Sequence, residues 1–177
     1  MPVSCWPSRL PRGVGCNPEF DWLREPGSLT LRCQQLCDEF EVQVLRQSAQ
    51  SLVSGSRSRV PAREVLLRCD GMPVIFARSR LLTGRRSRLA CWFERLGKRS
   101  LGSLLFRHPG FSRGALGYAR LRPGQRLHRQ VCEALGKPLP ILWARRSIHY
   151  LDAASLEVTE VFLPTIRHLA VTRKAIG

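Results

Sequence analysis

Asp70-Gly71 constrains this chain more than any other feature. It sits between Arg-Glu-Val-Leu-Leu-Arg-Cys (63 to 69) and Met-Pro-Val-Ile-Phe-Ala-Arg (72 to 78), two runs rich in aliphatic and β-branched residues. An Asp-Gly pair between such runs predicts a two-residue hairpin, because glycine supplies the positive φ the turn needs and aspartate tolerates it. A two-residue loop fixes the register. It sets Cys69 opposite Met72, Leu67 opposite Val74, Val65 opposite Phe76 and Arg63 opposite Arg78. Facing residues share one side of the sheet, so both arginines would end an otherwise apolar face. Like charges in that position destabilise the pair. An anion between them would reverse this; a bulge in one strand, or arginines splayed into water, would avoid it.

The remainder of the chain must supply partners for that hairpin. Its 177 residues suit a single domain, and 44% hydrophobic content gives it a core. Lys and Arg number 29 against 13 acids, a formal charge of +16 that favours anionic partners: nucleic acid, a membrane surface or an acidic metabolite. The arginines are scattered, so no nucleic-acid stripe stands out. Seven cysteines form no CxxC pair, and no histidine follows Cys33 and Cys37 at zinc spacing, so they read as small apolar residues. The N-terminus lacks the apolar stretch of a signal peptide, and no run of about 18 apolar residues could span a membrane. Unpaired thiols without an export signal point to the cytoplasm.

Residues 1 to 20 are rich in Pro and Gly and read as irregular; a domain over 21 to 170 and a basic tail over 171 to 177 follow. Ser28 or Thr30 caps a helix carrying Leu29, Cys33, Leu36 and Cys37, expected to reach about residue 39. From Phe40 the apolar period becomes two, which marks a strand. Residues 46 to 60, rich in Ser and Arg, read as an exposed loop. Leu89, Trp92, Phe93 and Leu96 mark another helix, with Gly97 placed to end it. Residues 98 to 102 read as a turn and 103 to 107 as a short helix. Strands are expected over 115 to 121, 141 to 150 and 156 to 163, the last two joined by Asp152-Ala-Ala-Ser155. The fold class is therefore α+β: a single domain with an antiparallel sheet and helices packed on it.

Charged residues within apolar strands carry the functional information, since burying an unpaired charge is costly. Arg63 shares a face with Val65 and Leu67; Glu160 shares one with Val158 and Phe162. Taken singly, each fits a side chain that snorkels to an edge. Taken together, they fit complementary groups lining one pocket. Neither the four histidines nor Ser147 has catalytic or metal spacing, and no glycine-rich phosphate loop occurs.

Ordered segments of the chain resemble chorismate lyase. The hairpin matches that family's Arg-Glu-Ile-Leu-Leu-x-x-Asp-Gly-x-Pro signature. Asp-Trp-Leu with Ser-Leu-Thr (21 to 30), Leu-Gly-Lys-x-x-Leu-Gly-x-x-Leu-Phe (96 to 106), Trp-Ala-Arg-Arg-Ser (143 to 147) and Thr-Glu-Val-Phe-Leu-Pro (159 to 164) follow in order. The resemblance implies a monomeric lyase without cofactor or metal. Such an enzyme removes pyruvate from chorismate, leaving 4-hydroxybenzoate for ubiquinone synthesis, and buries its ligand under flaps. By matching position, Arg63 would bind the ring carboxylate with the backbone amides of Leu29 and Leu101, and Glu160 would meet the ring hydroxyl, making Arg63 and Glu160 the catalytic pair. Arg78, from the hairpin register, would take the enolpyruvyl carboxylate. Ala77 replaces an expected glycine and narrows the pocket. The high charge would steer a dianion and permit loose association with a membrane surface, without specific nucleic-acid binding. Two other classes stay open here. A sensor domain of the same fold would need a DNA-binding domain for which the stretch before Trp22 has no room, and a nucleic-acid binder would want its aromatics exposed.

Overall fold

The computed structural model describes residues 6–10, 18–51, 59–83 and 86–172. Seven strands form one antiparallel sheet: β1 (Phe40–Ser51), β2 (Arg59–Cys69), β3 (Met72–Thr83), β4 (Ser112–Arg113), β5 (Gly117–Leu121), β6 (Leu142–Leu151) and β7 (Ala154–Phe162). Their order is β1-β2-β3-β7-β6-β4, with β5 also paired to β6. Among the described residues six helices accompany them: α1 (Pro18–Arg24), α2 (Leu29–Gln34), α3 (Arg88–Glu94), α4 (Leu101–Arg107), α5 (Arg126–Leu135) and α6 (Ile166–Thr172). The α+β class, the antiparallel sheet and the central hairpin are as expected from the sequence.

Period-two burial gives the sheet two unlike faces. On one, Val65, Leu67, Ile75 and Phe162 pack against Trp22 and Leu23 of α1, Leu29 and Cys33 of α2, and Leu169 of α6. Further along that face, Leu81, Leu156 and Val158 meet Leu89 and Phe93 of α3 and Leu101 and Leu105 of α4. The opposite face carries Leu66, Phe76, Ala144 and Val161 under Val131 and Leu127 of α5. Burial of such apolar area is the main stabilising contribution, about 25 cal/mol per Å².

The hairpin turn forms as read, with Asp70 at φ 50° and Gly71 at φ 75°. The Asp70 carboxylate also accepts from the Asp38 and Glu39 N–H groups at 3.0 and 2.8 Å, tying the turn to the start of β1. The register does not hold beyond the first pairs. Cys69 faces Met72 and Arg68 faces Pro73, but Leu67 then faces Ile75, Val65 faces Ala77 and Arg63 faces Ser79. Val74 is the extra residue, a β-bulge. Pro73 fixes φ and brings no N–H to the ladder, a position where sheets admit a bulge, and the Val74 carbonyl instead accepts from Leu163 N at 3.0 Å.

Other boundaries also move. Ser28 is the N-cap of α2, accepting from Leu31 N at 3.4 Å, but the helix ends at Gln34, not near 39. The expected loop over 46 to 60 is largely strand: β1 and β2 stay paired out to Ser51 and Arg59, leaving 52–58 outside the described residues. Arg46, Gln47 and Ser48 are exposed while their backbone stays paired with β2. Of the N-terminal stretch expected to be irregular, 1–5 and 11–17 lie outside the described residues and α1 begins at Pro18; α4 begins at Leu101 within the expected turn, and α6 runs to Thr172, with 173–177 of the expected tail outside the described residues. Cys33 and Cys69 are buried as small apolar residues.

Candidate functional site

Successive strands bring side chains into rows across the sheet. Val65, Ala77, Glu160 and Arg145 are consecutive partners on β2, β3, β7 and β6; Arg63, Ser79, Val158 and Ser147 form the next row. Both rows lie under α2 and α4. They enclose a cavity of about 50 Å³ whose wall also includes Leu29, Leu101, Arg113 and His149. Arg63 and Glu160 thus line one cavity, together with the residues whose amides were expected to help them. Water occupies roughly 30 Å³ per molecule, so the space as it stands holds a water or two and must widen to take a six-membered ring.

Arg63 is 2% exposed. Its Nη2 donates to Gly97 O at 2.7 Å and Arg99 O at 3.1 Å, the carbonyls leading into α4. Its Nε is buried and, among the described residues, has no hydrogen-bond partner. Desolvation pushes the guanidinium down to about 10, which leaves it charged at neutral pH. An unmatched buried N–H is costly, and a carboxylate is the kind of acceptor that would offset that cost.

Glu160 has a partner that strand-by-strand reading missed. Arg145 Nε donates to Glu160 Oε2 at 2.5 Å, and Arg145 Nη1 to Glu25 O at 2.6 Å. Arg145 is 2% exposed and anchors the carboxylate from the neighbouring strand. Arg113, on β4, donates through Nη2 to Pro26 O at 2.6 Å. Beside it, His149 Nε2 and Ser147 Oγ lie 3.1 Å apart. Burial, and then the charges of Arg113 and Arg145, push the His149 imidazole down to about 4, so it is neutral at pH 7.

Arg78 is a correction. The Val74 bulge turns it to the other face, where it opposes Glu64 and its Nη1 donates to Gln130 Oε1 of α5 at 2.9 Å. It does not line the cavity, and the expected pairing with Arg63 does not occur. On that far face Arg80 and Glu157 form a buried ion pair, with Nη2 and Oε1 2.5 Å apart. Ala77 lines the cavity as expected. Among the described residues no three His, Cys, Asp or Glu side chains gather as metal ligands, and no helix is long and apolar enough to cross a membrane.

Comparison with known proteins places these residues in a lineage. The effector domain of PhnF from Mycobacterium smegmatis superposes with a TM-score of 0.52 at 15% identity, covering 78% of this chain and 89% of that one, a likeness of fold alone. A protein of Dechloromonas aromatica described as a probable chorismate pyruvate-lyase is 47% identical over 174 residues, covering 94% of this chain and 98% of its own. One of the same description from Aromatoleum aromaticum is 44% identical, covering 93% and 94%. The chorismate lyase family model matches residues 17–172. The chain therefore belongs to the chorismate lyase family.

Proposed function

We propose that this protein is a chorismate pyruvate-lyase, eliminating pyruvate from chorismate to leave 4-hydroxybenzoate, the aromatic precursor of ubiquinone. The observation that carries this is Arg63: buried, charged, on the cavity wall, with an N–H that has no acceptor among the described residues. A planar guanidinium matches a ring carboxylate, and Leu29 and Leu101, which begin α2 and α4, line the same cavity, which supports a part for their amides beside it.

Chorismate is one elimination away from aromaticity. The ether bond to the ring breaks, a proton leaves the adjacent carbon that bears the hydroxyl, and the departing enolpyruvate takes up a proton to become pyruvate. Such a reaction needs a held conformation and stabilised charge more than a strong base. Glu160, fixed by Arg145, is the group for the hydroxyl end of the ring. Closure of α2 and α4 over the cavity keeps water from the reacting ether. The reading has the protein acting as a cytoplasmic monomer on small molecules, with no specific nucleic-acid partner and at most loose contact with a membrane surface.

Purified protein given chorismate in the presence of a chelator should release pyruvate and 4-hydroxybenzoate in equal amounts. Turnover that vanishes with the chelator, or product in any other ratio, contradicts the proposal.

A further inference from the structure

Chorismate carries two carboxylates, and Arg63 accounts for one. Since Arg78 lies on the far face, the second needs another cation. The cavity wall holds Arg63, Arg113 and Arg145 against the single carboxylate of Glu160, a balance of +2. His149 adds no charge at neutral pH, so that balance is steady there. A +2 wall fits a dianion and overcompensates a monoanion such as 4-hydroxybenzoate.

Position decides which cation remains for the second carboxylate. Arg145 is committed at both ends, to Glu160 and to the Glu25 carbonyl. Arg63 stands on β2, Glu160 on β7 and Arg113 on β4, so the strand order puts Glu160 between the two arginines. In chorismate the ether carbon is next to the hydroxyl-bearing carbon. A ring with its carboxylate at Arg63 and its hydroxyl at Glu160 therefore extends its enolpyruvyl arm from the Glu160 end. The Pro26 carbonyl at 2.6 Å orients the Arg113 fork, and a planar guanidinium with five N–H donors has the geometry to meet both oxygens of a carboxylate.

We propose that Arg113 binds the enolpyruvyl carboxylate of chorismate, at the β4–β6 end of the cavity beside Ser147 and His149. This rests on the chorismate lyase reading above and adds a specificity residue to it: Arg113 distinguishes substrate from aromatic product and follows the carboxylate into the departing pyruvate. Glu25 and Pro26, in the loop between α1 and α2, then act as a paired anchor, one carbonyl for each cation at this end.

The test compares two ligands. In Arg113→Gln, kcat/KM for chorismate should fall roughly 10- to 100-fold, as expected for loss of a charge-assisted pair, while the calorimetric Kd for 4-hydroxybenzoate stays within about twofold. Arg113→Lys should recover part of the loss, keeping the charge but not the fork. Arg63→Ala should weaken both ligands together. Parallel loss of both ligands in Arg113→Gln is what a merely structural residue would give and overturns the proposal, as does an unchanged kcat/KM. Wild-type protein that releases no pyruvate from chorismate overturns the underlying reading, and this proposal with it.

Discussion

Glu160 separates two accounts of the elimination. A carboxylate at the hydroxyl end of the ring could accept the departing ring proton, or it could hold the ring while enolpyruvate takes that proton. Arg145 Nε occupies Oε2 at 2.5 Å, which fixes the group in place and spends one of its oxygens. That arrangement suits orientation. Glu160→Gln, which keeps a hydrogen-bonding oxygen, should hold kcat within about tenfold, and Glu160→Ala should lose more. A fall of roughly 10²–10⁴ in Glu160→Gln with unchanged 4-hydroxybenzoate affinity would identify it as the base. His149 makes a different prediction, about stability. Its folded value of about 4 lies below the ordinary 6.5, so between those values the unfolded chain binds more protons and stability falls as pH falls. Its contribution is whole above about pH 6.5 and shrinks towards pH 4, with about 2 kcal/mol lost by pH 5. Urea unfolding at pH 7 and pH 5 should show that slope in the wild type and a shallower one in His149→Gln. Neither Arg145 nor Arg113 was legible as a site residue from the sequence, because each works through a partner on a distant segment. Trp143-Ala-Arg-Arg-Ser147 offered a signal: Arg145 alternates with Trp143 and Ser147 on one face, an internal charge like that of Arg63.

Among the elements, α2 and α4 form the cover of the cavity, and Gly102 is where they touch. A Cβ there would lie 2.8 Å from Ser28 Oγ and 3.0 Å from Thr30 Oγ1. Ser28 is the cap of α2, so its side chain cannot turn away without giving up the bond to Leu31 N. Gly102→Ala should therefore destabilise the fold by about 1 kcal/mol, the worth of a cap, and raise the off-rate of 4-hydroxybenzoate as the cover loosens. An unaltered unfolding midpoint and off-rate would show that the two helices have slack. Most strands were legible because period-two patterning survives in single segments, and so was the cap of α2; β4 and the outer ends of β1 and β2 were not, because two residues or a polar run carry no apolar period. The helix α5 was missed although Leu127, Val131, Ala134 and Leu135 recur at helical spacing and Gly136 closes it at φ 65°. Its neighbours are rich in Pro and Gly, and they drew attention to the breaks. The hairpin register was half legible. Its turn dictated the first pairs, but nothing local to β2 announces an extra residue on β3.

Across the whole molecule the positive charge divides into two populations. Arg63, Arg80 and Arg145 are buried and fixed by carbonyls or acids. Others, including Arg24, Arg46, Arg95, Arg99, Arg122 and Arg129, are exposed and spread over both sides of the sheet. A diffuse field of that kind attracts a dianion from all directions without defining a groove. With kcat/KM measured from about 20 to 500 mM salt, a moderate fall is expected as the Debye length shrinks, with kcat nearly constant. A rate independent of salt would assign the charge to some other role. The bulge at Val74 has a consequence for how such chains can diverge. Loss of Val74 alone would leave Leu67 opposite Ile75, Val65 opposite Ala77 and Arg63 opposite Ser79, so the cavity wall would keep its residues. Loss of one residue from β3 beyond Ile75 would instead shift every later pair by one and turn Ala77 and Ser79 to the other face. Descent with change of strand length is thus open at the bulge and closed beyond it, and a one-residue gap at Val74 would mark a lineage whose hairpin had straightened with its cavity intact.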